Sequence, residues 1–291
     1  MKKSTAPRTI LLLLLSLLIA SCSSSGIEES TDKIGVVVSI LPQEEFVKSV
    51  GGNRVDITVM IPPGASPHTY EATPEQMVKL SKAKMYVKVG SPFEFEIAWL
   101  DKLIAINKDM LVVDCSKNIE LIQSSDPDEP GMDPHIWTSV HNASIMVRNI
   151  CDGLVQIDPA NKAFYEENRD AYLEKLDALD KDIRSTLDGI TSRSFIVYHP
   201  AWGYFARDYG LQQLSIEQGG KEPKAAYMAR LITEAKANNI KVIFVSPQFD
   251  VRNAETIATE IEGRVVIIDP LARNYLDNMR MVAKAFKEAL R

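Results

Sequence analysis

Neither a basic patch nor an Arg/Lys run interleaved with aromatic residues occurs in this chain, so the electrostatic footprint of a nucleic-acid binder is missing. The net charge is a modest −6. No apolar run reaches membrane-spanning length: the longest, Ile10–Ala20, is too short. A HExxH pair, or a comparable pair carried on one helix, is also absent, and with it the usual mark of a zinc protease. Cysteine is scarce, at positions 22, 115 and 151. The spacing of Cys115 and Cys151 gives no sign of pairing; one closes an apolar strand and the other lies in a helical pattern, so a disulfide and two buried free thiols both stay open. Glycine and proline are missing from Phe164 to Asp188, which leaves a long stretch without a helix breaker.

What is present is a globular composition, 45% apolar and 25% charged, enough to bury a sizeable core in one large or two ordinary domains. The first eight residues are basic, the apolar run follows, and Ile19-Ala20-Ser21-Cys22 comes next. That order reads as a secretory signal peptide over residues 1–21. Small residues before a cysteine resemble the bacterial lipobox, which implies a lipid on Cys22 and a membrane-anchored, extracytoplasmic protein. Residues 22–33 then form a flexible tether, whose eleven residues beyond the cysteine reach about 18 Å as a random coil. Loss of Lys2, Lys3 and Arg8 with the leader makes the mature chain more acidic.

The uninterrupted stretch predicts one long helix over 158–190. Tyr172, Leu176, Leu179, Ile183, Leu187 and Ile190 recur three or four residues apart and share one stripe. Asp158 is its expected cap, with Pro159 in the first turn and Gly189 at the end. On either side, strand-length apolar runs alternate with helical patterns. Before it come strands near 34–41, 55–61, 85–89 and 110–113; after it come strands near 194–198, 213–216, 241–246 and 264–268. Thr73-Pro74-Glu75-Gln76 offers a capping box for one of the intervening helices. The expected fold is α/β: two lobes, 34–157 and 191–291, each a four-stranded parallel sheet with flanking helices, joined by the rigid helix.

His68, His135 and His199 each lie just past the C-terminal end of a predicted strand, and so does Asp269. Ligands of open α/β sheets bind at those ends. Two of the four come from each lobe, so lobes that face each other would bring them into one cleft. Three imidazoles and a carboxylate suit a divalent ion of zinc character. Pro67, Pro134, Pro200 and Pro270 each adjoin a candidate and stiffen its backbone. On the residues alone, a metal site and a set of packed or surface histidines both remain open, and Asp269 reads equally as a turn former. His141, at a helix start, is exposed or capping rather than a ligand. Asp133 is a candidate acceptor for a histidine N–H.

These same residues carry a resemblance. PHTYEATP around His68, GMDPHIW around His135, VYHPAWGYFARDYGL around His199 and VVIIDPLARNYLDNM around Asp269 resemble the metal-specific solute-binding proteins of ABC importers, the ZnuA/TroA-like group, over essentially the whole mature chain. The resemblance implies two lobes, a rigid linking helix, a metal ion held between the lobes by His68, His135, His199 and Asp269, and delivery of that ion by a monomer to a membrane permease. It also implies that the protein is not an enzyme. Histidine at the third ligand position, where manganese and iron members generally carry glutamate, points to Zn2+ over Mn2+ or Fe2+. Two departures stand out. Residues 124–129 are short and free of histidine where many zinc members carry a long His-rich loop, and Thr138-Ser139-Val140 replaces the usual Leu-Asp-Pro. A zinc hydrolase was the competing class, with Glu217 its one nominee for a base.

Overall fold

Two parallel sheets with the same strand order build the protein in this computed structural model, which describes residues 33–124, 131–218, 221 and 223–291. The expected leader, tether and Cys22 lie outside the described residues. In the first lobe β1 (Ile34–Val38), β2 (Val55–Val59), β3 (Met85–Lys88) and β4 (Leu111–Asp114) lie in the order β2-β1-β3-β4. In the second, β5 (Ser194–Val197), β6 (Gln212–Ser215), β7 (Val242–Val245) and β8 (Arg264–Ile267) lie in the order β6-β5-β7-β8. All pairings are parallel, with Val38 opposite Val59 and Val87 in the first sheet and Val197 opposite Ser215 and Phe244 in the second. Each chain reversal needed for parallel pairing is a helical crossover.

The crossovers are α1 (Leu41–Gly51), α2 (Pro74–Leu80) and α3 (Glu94–Ile106) in the first lobe, followed by α4 (Val140–Ile157). The long helix α5 (Lys162–Thr186) comes next, then α6 (Gly203–Tyr209), α7 (Ala225–Ala237), α8 (Arg252–Glu260) and the closing α9 (Tyr275–Ala289). Thr73 caps α2 as its sequence predicts: Thr73 Oγ1 accepts from Gln76 N at 3.3 Å and Gln76 Oε1 accepts from Thr73 N at 2.9 Å. The same glutamine amide donates to Val59 O and Met60 O, at 2.9 and 2.7 Å, and accepts from Tyr70 O–H at 2.9 Å. One side chain thus fastens both ends of the loop between β2 and α2, which carries His68.

The long helix is shorter than its apolar stripe implied, 25 residues or about 38 Å. Asp158 does not cap it. Its carboxylate instead accepts from Asn161 Nδ2 and, at 2.6 Å, from Tyr165 O–H, so Pro159–Asn161 form a separate 3₁₀ turn. The stripe itself is buried from Tyr172 through Ile190. At the start of α4, Ser139 is the cap, accepting from Asn142 N at 3.0 Å.

Strand alternation divides the second lobe's interior. Phe195 and Val197 face a core shared with α4, α5, α9 and the whole first lobe, whereas Ile196 faces a smaller core with Ile216, Leu231, Ile243 and Ile257. The shared core includes Phe46, Trp137, Tyr172, Trp202, Tyr275 and Phe286, each contributing about 1.5–3 kcal/mol by burial. Glu45 on α1 accepts from Tyr172 O–H at 2.6 Å and from Tyr275 N at 2.5 Å, tying the first lobe to α5 and α9. Ser139 donates to Asp208 and Trp137 Nε1 donates to Pro270 O at 2.7 Å. The lobes therefore meet through apolar packing and fixed hydrogen bonds on the side of the linking helix. Cys115 and Cys151 are both free and buried.

Candidate metal centre

Parallel pairing puts the strand ends of each sheet side by side, and the chemistry gathers there. His135 follows the loop after β4, and His199 lies two residues past β5. Both are 8% exposed, and their Nε2 atoms approach to 3.1 Å. Two Zn–N bonds of about 2.0–2.1 Å at the tetrahedral angle hold their nitrogens about 3.3–3.4 Å apart. The pair is within a few tenths of an ångström of straddling such an ion.

The opposite nitrogen of each ring is held by a carboxylate. His135 Nδ1 lies 2.8 Å from Asp133 Oδ1, and His199 Nδ1 lies 2.5 Å from Glu217 Oε2. Carboxylate oxygens accept, so this hydrogen-bond logic places a proton on each Nδ1 and leaves the Nε2 lone pairs converging. Lone pairs at that separation repel unless a proton or a cation stands between them. Asp133 is in turn fixed: it also accepts from His135 N at 2.8 Å, and Tyr204 O–H donates to its backbone carbonyl at 3.0 Å. Gly203 is required for this contact, since a Cβ there would sit 2.3 Å from Asp133 Oδ2. Phe249 stacks on the His199 ring at 4.9 Å and 21°, and Trp137 meets His135 edge-on at 5.3 Å. The two aromatic rings wall one side of the pair.

His68 reaches the site from the loop between β2 and α2. Its ring centroid is 5.2 Å from that of His199, and the residue is exposed, unlike the other two. Among the described residues no group of three or more His, Cys, Asp or Glu side chains is already arranged to hold an ion. The buried pair is close to the spacing of two zinc ligands, and His68 stands beside it on a loop. Asp269, past β8, is farther from readiness: its Oδ1 accepts from Leu271 N at 2.9 Å and from Gln248 Nε2 at 3.1 Å, the bonding of a turn former. Gln248, Pro270 and Leu271 line the enclosed space with the three histidines, and Asp269 connects to it through Gln248. His141 is exposed on α4, away from these residues.

The enclosed space measures about 20 Å³, room for a single water-sized particle. At the floor of the first lobe, Glu96 binds Ser39 Oγ, Val89 N and Gly90 N, and so pins the ends of β1 and β3 beneath the first turn of α3. Burial pushes its carboxyl above the usual range, against the pull of those donors.

No local pattern marks Glu217 as the partner of His199. The signal lay in the register: Val197 pairs with Ser215, so two residues on, His199 falls beside Glu217.

Residues 36–289 match the family described as zinc-uptake complex component A, periplasmic (ZnuA). The chain belongs to the ZnuA family. It is 32% identical to the high-affinity zinc uptake system protein ZnuA of Bacillus subtilis, with 94% of each chain covered. It is 28% identical to the zinc-binding lipoprotein AdcA of Streptococcus pneumoniae, of whose length it spans 59%. A zinc-bound crystal structure of a ZnuA deletion mutant superposes with a TM-score of 0.85 at 38% identity, covering 89% of this chain and 98% of that one. As a ZnuA-family protein the chain has the two parallel sheets and single linking helix of its structural neighbours.

Proposed function

We infer that this protein is an extracytoplasmic receptor that captures one zinc ion between its lobes and passes it to the permease of an ABC importer. The observation that carries the reading is the buried His135–His199 pair, with both Nε2 atoms converging and both Nδ1 atoms held by carboxylates. Such a pair is stable when a cation takes the lone pairs. His68 closes over the ion from the first lobe. Asp269 completes the set through Oδ2, its other oxygen remaining on the backbone of Leu271. Zinc is favoured over Mn2+ or Fe2+ because imidazole suits it better than it suits an ion of oxygen preference. The names of the B. subtilis and S. pneumoniae relatives support the same cargo.

Lipidation of Cys22 would tether the receptor to the membrane and leave the folded part, a monomer, in water. Among the described residues no helix is long and apolar enough to cross a membrane. A hydrolytic reading fares poorly on geometry: Glu217, its nominated base, is bonded to His199 Nδ1 and so is not free to activate a water.

Changing His199 to Ala tests the proposal. Zinc affinity by competition calorimetry should fall at least a hundredfold while the metal-free protein keeps its circular dichroism and melting temperature. Wild-type affinity in that variant would refute it. The same titration against manganese should leave zinc bound.

A further inference from the structure

Beside the enclosed space, and sharing His135 and His199 with it, lies a wider groove of about 210 Å³. Its walls include Pro92, Ile97, Met132 and Pro200. Three residues line both the groove and the enclosed space: Glu94, His135 and His199. Glu94 thus stands at the boundary between open groove and ligand cluster. Among the described residues the other carboxylates at the site are committed: Asp133 and Glu217 to imidazole Nδ1 atoms, Asp269 to Leu271 N and Gln248, and Glu96 to the strand ends below. Among the described residues no hydrogen bond or ion pair holds the Glu94 side chain. Its backbone is stiff, because it opens α3 next to the buried Phe93 and two residues from the pinned Glu96.

An uncommitted carboxylate at the mouth of a site that takes a dication, lining the same groove as two imidazoles, has a clear physical use. A hydrated cation loses its water reluctantly, and a hard oxygen anion is the group that attracts it first and replaces part of its shell. We propose that Glu94 is the capture carboxylate of this protein: zinc arrives through the groove, meets Glu94, and is handed to His135 and His199. Glu94 then acts on the rate of entry, and the imidazoles with Asp269 set the rate of escape. The proposal rests on the zinc-receptor reading above.

Stopped-flow mixing with zinc, read by the fluorescence of Trp137 beside His135 or by a chelating indicator, tests it. Glu94→Gln should lower the association rate about tenfold, within the range that focused charge confers, and leave the dissociation rate within twofold. Glu94→Asp should recover part of the loss. Glu260→Gln, a distant exposed site with the same charge change, should have no effect. An unchanged association rate in Glu94→Gln would overturn the capture role, and so would a loss seen wholly in dissociation, which marks a holding ligand. Wild-type protein that fails to take up zinc would overturn the receptor reading itself, and this inference with it.

Discussion

Replacing Glu217 by glutamine perturbs the site without touching a metal ligand. In the structure Glu217 Oε2 lies 2.5 Å from His199 Nδ1, and both side chains are 8% exposed, so water cannot stand in. Glutamine keeps the shape but removes the charge. Either its carbonyl accepts a weaker neutral hydrogen bond from Nδ1–H, or its amide turns and forces the proton to Nε2, where it blocks the ion. Loss of such a partner typically costs 10–100-fold in metal affinity, about 1.4–2.8 kcal/mol. The metal-free protein should be as stable as wild type or slightly more so, because a buried charge facing a neutral ring is costly. Competition with a chromophoric chelator gives the affinity, and urea unfolding of the metal-free form gives the stability. Wild-type zinc affinity in Glu217→Gln, with the fold intact, would refute the claim that the carboxylate sets the ring's tautomer.

Two further outcomes follow from the packing. Gly203→Ala drives a methyl group to within 2.3 Å of Asp133 Oδ2; it should cost about 1–3 kcal/mol in urea unfolding and weaken zinc binding as Asp133 leaves His135, whereas unchanged binding would mean Asp133 is dispensable. In alkali the buried hydroxyls and thiols dominate: burial pushes Tyr204 up to about 12 and Cys151 up to about 11, and it raises Tyr86, Tyr172 and Tyr209 still further. Groups whose native pKa is raised stabilise fully below their unfolded values, about 8.5 for thiol and 10 for phenol. The urea midpoint should therefore hold through neutral pH and fall above about pH 9–10; a midpoint flat to pH 11 would contradict that burial.

Much of this architecture is written in periodicity. Strand-length apolar runs such as Ile34–Val38 and Val242–Val245, each followed by a helical pattern, yield both sheets, and the stripe from Tyr172 to Ile183 marks the buried face of α5. Local chemistry at chain ends is less legible. Asp158 reads as a cap, but Tyr165 and Asn161 compete for its carboxylate, and the backbone turns before the helix proper begins. At the site, His68 and His199 are visible because each comes after a strand beside a proline; His135 also adjoins a proline but stands at the end of a long loop well past β4, not at its strand end, and Asp133 is visible because it sits two residues from that ring. Glu217 is hidden for the opposite reason: its closeness to His199 is created by strand pairing across 18 residues. Trp137 donating to Pro270 O, 133 residues away, is beyond any local pattern.

The central claim is that three imidazoles, two of them already in contact, share one ion. Anomalous diffraction at the zinc edge from crystals grown with zinc measures this directly. The account predicts a single strong peak between the lobes, about 2.0–2.1 Å from Nε2 of His68, His135 and His199. A peak bound elsewhere, or one that leaves the Nε2 atoms of His135 and His199 facing each other with no ion between them, would contradict it.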